Sequence, residues 1–276
     1  MRSLLRKLVP RRLKRAFKRR QEDCLRARLF GELAPLVPET EDMFDGTASL
    51  EEFKANGEEF LQIYQRVCDL RRDERMLDIG SGIGRKTIPL TQYLDREATY
   101  EGIDVNRSGV DWCRERITTR FPNFRFQWID VHNEFYNPLG TRSPADYQFP
   151  FPDASFSFVM VGSVFTHMMP GDVEHYLSEI KRVLGSGRCL ISYFLLNDES
   201  RHLITRGEST LAFGNVREGY ATVSCDIPEK AIAMVESVVM SFYARLGLKV
   251  SGVYYGSWCG RENTMSYQDL ILAGKA

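Results

Sequence analysis

Three glycines, three aspartates and a histidine are the residues of this chain whose types and spacing suit chemistry. The run Met76-Leu77-Asp78-Ile79 leads into Gly80-Ser81-Gly82-Ile83-Gly84-Arg85. Glycine permits positive φ and close approach of the backbone to a ligand. If the turn opens a helix, the unpaired N–H groups at its start favour a nucleotide or a carboxylate-bearing ligand. Spacing discriminates among such ligands. The dinucleotide fingerprint GxGxxG needs glycine at position 85, where this chain has Arg85, so a nicotinamide oxidoreductase is disfavoured. Asp104 closes the next apolar run, placed to accept hydrogen bonds from two ribose hydroxyls. Asp130 closes the third, within reach of an adenine amino group. A lone glycine loop also fits a structural turn, but here an aspartate closes each of three successive runs.

Proton transfer falls to histidine. His167 lies just past a fourth apolar run and before Pro170. Imidazole titrates near neutrality, so a histidine at that edge can take the proton of an attacking alcohol. A structural or helix-capping role is the alternative. His132 is the second candidate base. His175, within a helical pattern, and His202, in an expected loop, default to structural or surface roles.

These side chains need a scaffold. Seven candidate strands are Met76–Ile79, Thr99–Ile103, Arg125–Ile129, Ser157–Val161, Cys189–Phe194, Lys249–Tyr254 and Gln268–Ala273. Helical patterns lie between most of them, which predicts an α/β, Rossmann-like three-layer sandwich with a mostly parallel sheet. The final strand follows a loop too short for a crossover, so it should be antiparallel. One helix is expected from Pro170 to Leu184, ending at Gly185. Another is expected from Pro228, with Ile232, Val235, Val239, Phe242 and Leu246 inward and Gly247 beyond its end. Two long connections, 132–151 and 196–227, suit lids or binding loops. Tyr136, Asn137 and Tyr147 in the first, and Asn197, Arg201, Arg206 and Tyr220 in the second, suit a polar acceptor; ordinary packing is the alternative. Trp258 and Arg261 either reach the site or close the sheet edge.

The charge balance of the 276 residues conceals two unlike parts. Residues 1–20 hold ten of the 37 basic side chains and no acid, leaving a body with 27 basic and 37 acidic groups. The expected division is a basic amphipathic arm (1–20), a helical extension (21–74) and the α/β domain (75–276). Leu4, Leu5, Leu8, Leu13, Ala16 and Phe17 share one helical side, so the arm suits an anionic membrane surface or a solvated tail. An acidic body argues against nucleic-acid binding. Six scattered cysteines show no zinc-ligand spacing and suit the reducing cytoplasm. The apolar run Phe156–Phe165 is too short for a membrane span. Charges interrupt the N-terminal apolar residues, which argues against a secretory signal.

The combination Met76–Arg85, Gly102-Ile103-Asp104, Ile129-Asp130, Phe151-Pro152-Asp153-Ala154-Ser155-Phe156 and Leu177–Leu184 resembles the class I S-adenosylmethionine-dependent methyltransferases over roughly residues 60–276. The resemblance implies a seven-stranded sheet ending in an antiparallel hairpin, with S-adenosylmethionine as cofactor. It implies that Asp78, Gly80, Ser81, Gly82 and Gly84 hold the methionine end. Asp104 then binds the ribose, Val105 flanks the adenine, and Asp130 with Val131 borders it. Gly185-Ser186-Gly187-Arg188 departs from the family's common Pro-Gly-Gly, at a place remote from the cofactor. Ser163-Val164-Phe165-Thr166-His167-Met168, with Tyr136-Asn137-Pro138 and 256–261, is similar to a bacterial subgroup linked with glycan or cell-surface metabolism. The expected activity is methyl transfer to a hydroxyl of a sugar, glycan or lipid-linked acceptor, in the cytoplasm or at the inner membrane face. The alternatives are an N-methyltransferase, a small-molecule O-methyltransferase and a non-catalytic scaffold. No carboxylate cluster demands a metal.

Overall fold

The computed structural model describes residues 11–44 and 46–275. Residues 1–10 of the expected arm lie outside the described residues. From Arg11 the chain forms helix α1 (Arg11–Phe30), which crosses the boundary expected at residue 20. The body holds this helix through charge pairs. Arg15 meets Glu41 at 3.5 Å, Arg19 pairs with Glu39, and Glu22 Oε1 accepts from Thr40 N at 2.7 Å. Helix α2 (Leu50–Val67) starts at Ser49, whose hydroxyl caps Glu52 N, and buries Phe53, Phe60, Ile63 and Tyr64.

The α/β unit follows as β1 (Arg75–Ile79), α3 (Thr87–Tyr93), β2 (Thr99–Asp104), α4 (Arg107–Cys113), β3 (Phe124–Trp128), β4 (Phe156–Val161), α5 (Pro170–Val183) and β5 (Leu184–Tyr193). After a second, smaller sheet come α7 (Glu236–Leu246), β10 (Leu248–Tyr254) and β11 (Asp269–Lys275). The main sheet has the order β10-β11-β5-β4-β1-β2-β3. Its β1, β2, β3, β4 and β5 pair in parallel, while β11 lies antiparallel between β5 and β10. The expected three-layer sandwich and C-terminal antiparallel hairpin are both present. Alternation along the strands sends side chains to two cores. Leu77, Ile79, Val159 and Val161 join α5 and α7 on one face. Met76, Phe158 and Met160 join α2, α3 and α4 on the other.

Two expectations are corrected. The helix predicted from Pro228 is a short turn at Pro228–Lys230, then β9 (Ile232–Val235), and only then α7. Ile232 and Val235 satisfy helical spacing, but Ile-Ala-Met-Val also suits a strand, and distant partners decide. β9 pairs in parallel with β6 (Leu195–Leu196) and antiparallel with β8 (Tyr220–Thr222), which pairs with β7 (Asn215–Arg217). His202 sits in helix α6 (Asp198–Thr205) rather than in a loop. Gly247 does end α7, with φ of +64°.

Asp269, at the start of β11, ties the two sheets together. It accepts from Leu195 N at 2.7 Å, Gly256 N at 2.7 Å, Trp258 Nε1 at 2.7 Å and Arg261 Nη1 at 3.2 Å. Trp258 and Arg261 therefore brace the sheet edge. Among the described residues, no helix is long and apolar enough to cross a membrane.

Candidate active site

In an open parallel sheet a ligand settles beyond the carboxyl ends of the strands, where the strand order reverses. Here that place lies between β1 and β4, and a cleft of about 1000 Å³ opens there. Gly80, Ser81, Gly82, Arg85 and Lys86 line one end, Ile103, Asp104, Val105, Ile129 and Val131 a second side, and Gly162, Ser163, Val164, His167 and Met168 the far side.

The glycine loop needs its glycines for separate reasons. Gly80, Gly82 and Gly84 have φ of +84°, +57° and +88°, a region disfavoured for other residues. A Cβ on Gly80 would lie 2.3 Å from Val164 Cγ2, and one on Gly84 2.8 Å from Ile117 Cδ1. A Cβ on Gly82 would meet nothing within 4 Å, because that residue faces the open cleft. The turn is fixed from behind by Gly80 N and Ser81 N, which donate to Ile103 O at 2.8 and 3.2 Å.

Asp104 ends β2 inside this turn. Its Oδ2 accepts from Gly82 N and its Oδ1 from Asn106 N, both at 2.7 Å. Each oxygen keeps a further lone pair. Burial outweighs those hydrogen bonds and raises the carboxyl to about 6. Asp78 is fully buried and does not line the cleft; it sits under the loop. Tyr100 donates to its Oδ2 at 2.6 Å, Oδ1 lacks a protein partner, and burial raises its pKa despite nearby Lys86. Lys86 Nζ donates to Gly162 O at 3.1 Å, bridging the ends of the loop and β4.

Asp130 takes a different position from its neighbours. β3 stops at Trp128, and alternation then turns Ile129 and Val131 toward the cleft and Asp130 away from it. The Asp130 carboxylate accepts from Thr141 Oγ1 at 2.5 Å.

His167 lines the cleft opposite the loop. Its Nδ1 lies 2.8 Å from Glu229 O, and a carbonyl can only accept, so Nδ1 carries the proton. In the neutral ring Nε2 is then the basic nitrogen. Burial holds the imidazole below its ordinary pKa, with carbonyl contacts opposing. Phe135 stacks on the ring at 6.1 Å and Tyr136 meets it edge-on at 5.0 Å. Asn133 joins these parts. Its Nδ2 donates to His167 O at 2.8 Å, while its Oδ1 accepts from Tyr136 N at 2.9 Å. His132 also lines the cleft, with Nε2 3.6 Å from Glu134 Oε2. His175 Nε2 lies 2.9 Å from Tyr147 O.

Of the two long connections, the first enters the site through His132, Asn133, Tyr136 and Pro144. Its far end is clasped to α5: Glu179 accepts from Phe149 N at 2.8 Å, and Arg182 donates to Phe149 O and Phe151 O. The second connection, contrary to its expected lid role, builds the small sheet instead. Asn197, Arg201, Arg206 and Tyr220 are not among the cleft residues. Its contribution is Glu229, just beyond the expected segment. Sequence reasoning missed Phe44, Asn133, Asp172, Tyr176 and Glu229, all of which line the cleft. Helical spacing marked Tyr176 only as a core position.

The residues fit S-adenosylmethionine. The open cradle at Gly82 would be filled by a Cβ, Ser81 Oγ is buried without a protein partner, and Asp104 offers two acceptor oxygens beside apolar Val105, Ile129 and Val131.

Comparison with known proteins agrees. Residues 77–191 match the family described as Methyltransferase domain. A fatty-acid O-methyltransferase of Mycolicibacterium smegmatis is 30% identical over 140 residues, covering 50% of this chain and 42% of that protein. The O-methyltransferase cnsE of Penicillium expansum is 28% identical over 125 residues, covering 45% and 39%. The matches thus span less than half the length of these curated relatives. The crystal structure of the PH0226 protein from Pyrococcus horikoshii OT3 superimposes with a TM-score of 0.58 at 16% identity, covering 86% of this chain and 96% of that one, which shows the shared fold. The chain thus carries, over residues 77–191, a stretch that matches a methyltransferase domain, on a sheet whose order and C-terminal antiparallel strands are those of the Rossmann-like methyltransferase fold.

Proposed function

We propose that this protein methylates a hydroxyl group of a small polar acceptor such as a sugar, glycan or lipid-linked intermediate. The observation that carries this reading is His167, held across the cleft from the glycine loop with Nδ1 committed to Glu229 O. S-adenosylmethionine, when bound, supplies a methyl group on a sulfonium and leaves as a neutral thioether. The loop at Gly80–Gly84 and Asp104 hold it; Val105, Ile129 and Val131 cover its base. An alcohol is a poor nucleophile until its proton leaves. His167 Nε2 takes that proton as the oxygen attacks, and Glu229 O steadies the resulting imidazolium through Nδ1–H. Tyr136 and Phe135 fix the ring's orientation, since alignment is the main demand of an in-line displacement. The similarity of 163–168 to a bacterial glycan-linked subgroup supports the acceptor class. The basic residues 1–20 support work at an anionic membrane face.

A second reading is methylation of a fatty-acid carboxylate, supported by the similarity to the Mycolicibacterium fatty-acid O-methyltransferase. A carboxylate is already deprotonated and needs no base. The test is transfer of labelled methyl from S-adenosylmethionine into fractionated cell extract, followed by mass spectrometry. The expected product survives mild alkali, as an ether does, and His167→Asn loses about 10²–10⁴-fold in rate. For the native enzyme the acid limb of kcat/KM lies below pH 6.5, because the imidazole is depressed from that value. An alkali-labile ester, or full turnover by His167→Asn, would overturn the hydroxyl reading.

A further inference from the structure

The acceptor end of the cleft carries a charge pattern that the proposed reaction does not require. Asp172, in the first turn of α5, and Glu229, in the turn before β9, both line it beside Tyr136, His167, Met168 and Tyr176. Among the described residues, the lysine and arginine that line the cleft are Arg85 and Lys86, at the glycine-loop end. Asp172 is half-buried, and its surroundings raise its pKa: burial first, then the charge of Glu229, with His175 opposing. Two carboxylates with such neighbours can accept hydrogen bonds but donate none while ionised.

We propose that Asp172 and Glu229 select an acceptor carrying hydroxyls adjacent to the one methylated, and reject one carrying a carboxylate. This deepens, and rests on, the reading of the cleft as a hydroxyl methylation site. Hydrogen bonds from hydroxyls to ionised carboxylates are charge-assisted and short. A carboxylate brought to the same place would face two like charges, with the cleft's cations on the cofactor side. An ammonium would satisfy the carboxylates, but they would hold its proton and leave it without the lone pair that methyl transfer needs. A polyol donates twice and keeps a free nucleophilic oxygen. Tyr136 and Tyr176, which line the cleft with those acceptors, provide apolar ring surface, as suits the carbon skeleton of a sugar.

The test uses two probes with the same chain length, 1,2-octanediol and octanoate, titrated calorimetrically into the full chain saturated with S-adenosylhomocysteine. The diol is expected to bind at least about tenfold more tightly than octanoate, which is 1.4 kcal/mol. In Asp172→Asn/Glu229→Gln that ratio is expected to collapse by about tenfold or to reverse. Octanoate binding as tightly as the diol, failure of the diol to bind, or an unchanged ratio in the variant would each overturn the selection. S-adenosylhomocysteine affinity, measured first in both proteins, reports whether the variant folds. It also separates the two readings: no cofactor binding in the native chain defeats the methyltransferase site itself, whereas normal cofactor binding with octanoate preferred defeats only the hydroxyl selection. If the double variant loses cofactor binding, the single Glu229→Gln protein is tested, with a fall of about threefold in the ratio expected and an unchanged ratio overturning the proposal.

Discussion

Asp104 faces opposite demands from proton and cofactor. Burial raises its carboxyl to about 6 from an ordinary 3.8, so the folded chain holds this proton more tightly than the unfolded chain does. The stability it contributes is full below 3.8 and is lost as pH rises through about 6. Cofactor binding runs the other way, because two ribose hydroxyls need an ionised acceptor. S-adenosylhomocysteine should therefore bind more weakly below pH 6, by up to about tenfold per pH unit. Asp104→Asn should flatten that dependence and weaken binding at pH 7 by about 10- to 100-fold. Calorimetry across pH 5 to 8 decides it, and a slope that persists in the variant would assign the titration to another group. The sequence displayed Asp104 clearly, since an aspartate ending an apolar run is a local signal. Asp172 and Glu229 gave no such signal. One lies on a helix and the other 57 positions later in a turn, and only the fold brings them into one cleft.

At the scale of elements, the glycine loop was readable because its backbone demands are local. The structure adds that the glycines are not equivalent. Gly80→Ala combines left-handed strain with a 2.3 Å clash against Val164, so a loss of about 2–4 kcal/mol in unfolding free energy is expected. Gly82→Ala has comparable φ but open space, so about 1 kcal/mol is expected, together with a large loss of cofactor affinity. Denaturant melts beside cofactor titrations test this contrast, and equal destabilisation by the two would refute it. β9 was illegible for the opposite reason. Its four residues fit either period, and its partners β6 and β8 lie far away in the chain. Asp130 was misjudged by one step of alternation. β3 ends at Trp128, so neighbouring Ile129 and Val131 take the cleft side.

Across the whole molecule, the ten positive charges of residues 1–20 do not behave as one group. Arg15 and Arg19 are paired with Glu41 and Glu39, so part of the positive charge of α1 is spent on docking against the body. Residues 1–10 hold Arg2, Arg6 and Lys7 with Leu4, Leu5 and Leu8. Deleting residues 1–10 should thus weaken sedimentation with anionic vesicles by about tenfold or more and leave the melting temperature nearly unchanged. Equal sedimentation with and without them would reject the membrane proposal. The seven strands, their mostly parallel pairing and the antiparallel last strand were legible from alternation of strand and helix, whereas the strand order and the second sheet, built from short distant pairings, were not.

The position of β11 has a consequence for biosynthesis. It pairs with both β5 and β10, and its Asp269 satisfies Leu195 N, Gly256 N and Trp258 Nε1, yet it is translated after all of them. While a ribosome still holds β11, a nascent chain carries the β5 and β10 edges unpaired and a tryptophan without its acceptor. Both sheets therefore wait on the same seven residues, and a pause in translation before Asp269 would leave adhesive strand edges open to chaperones or to neighbouring chains.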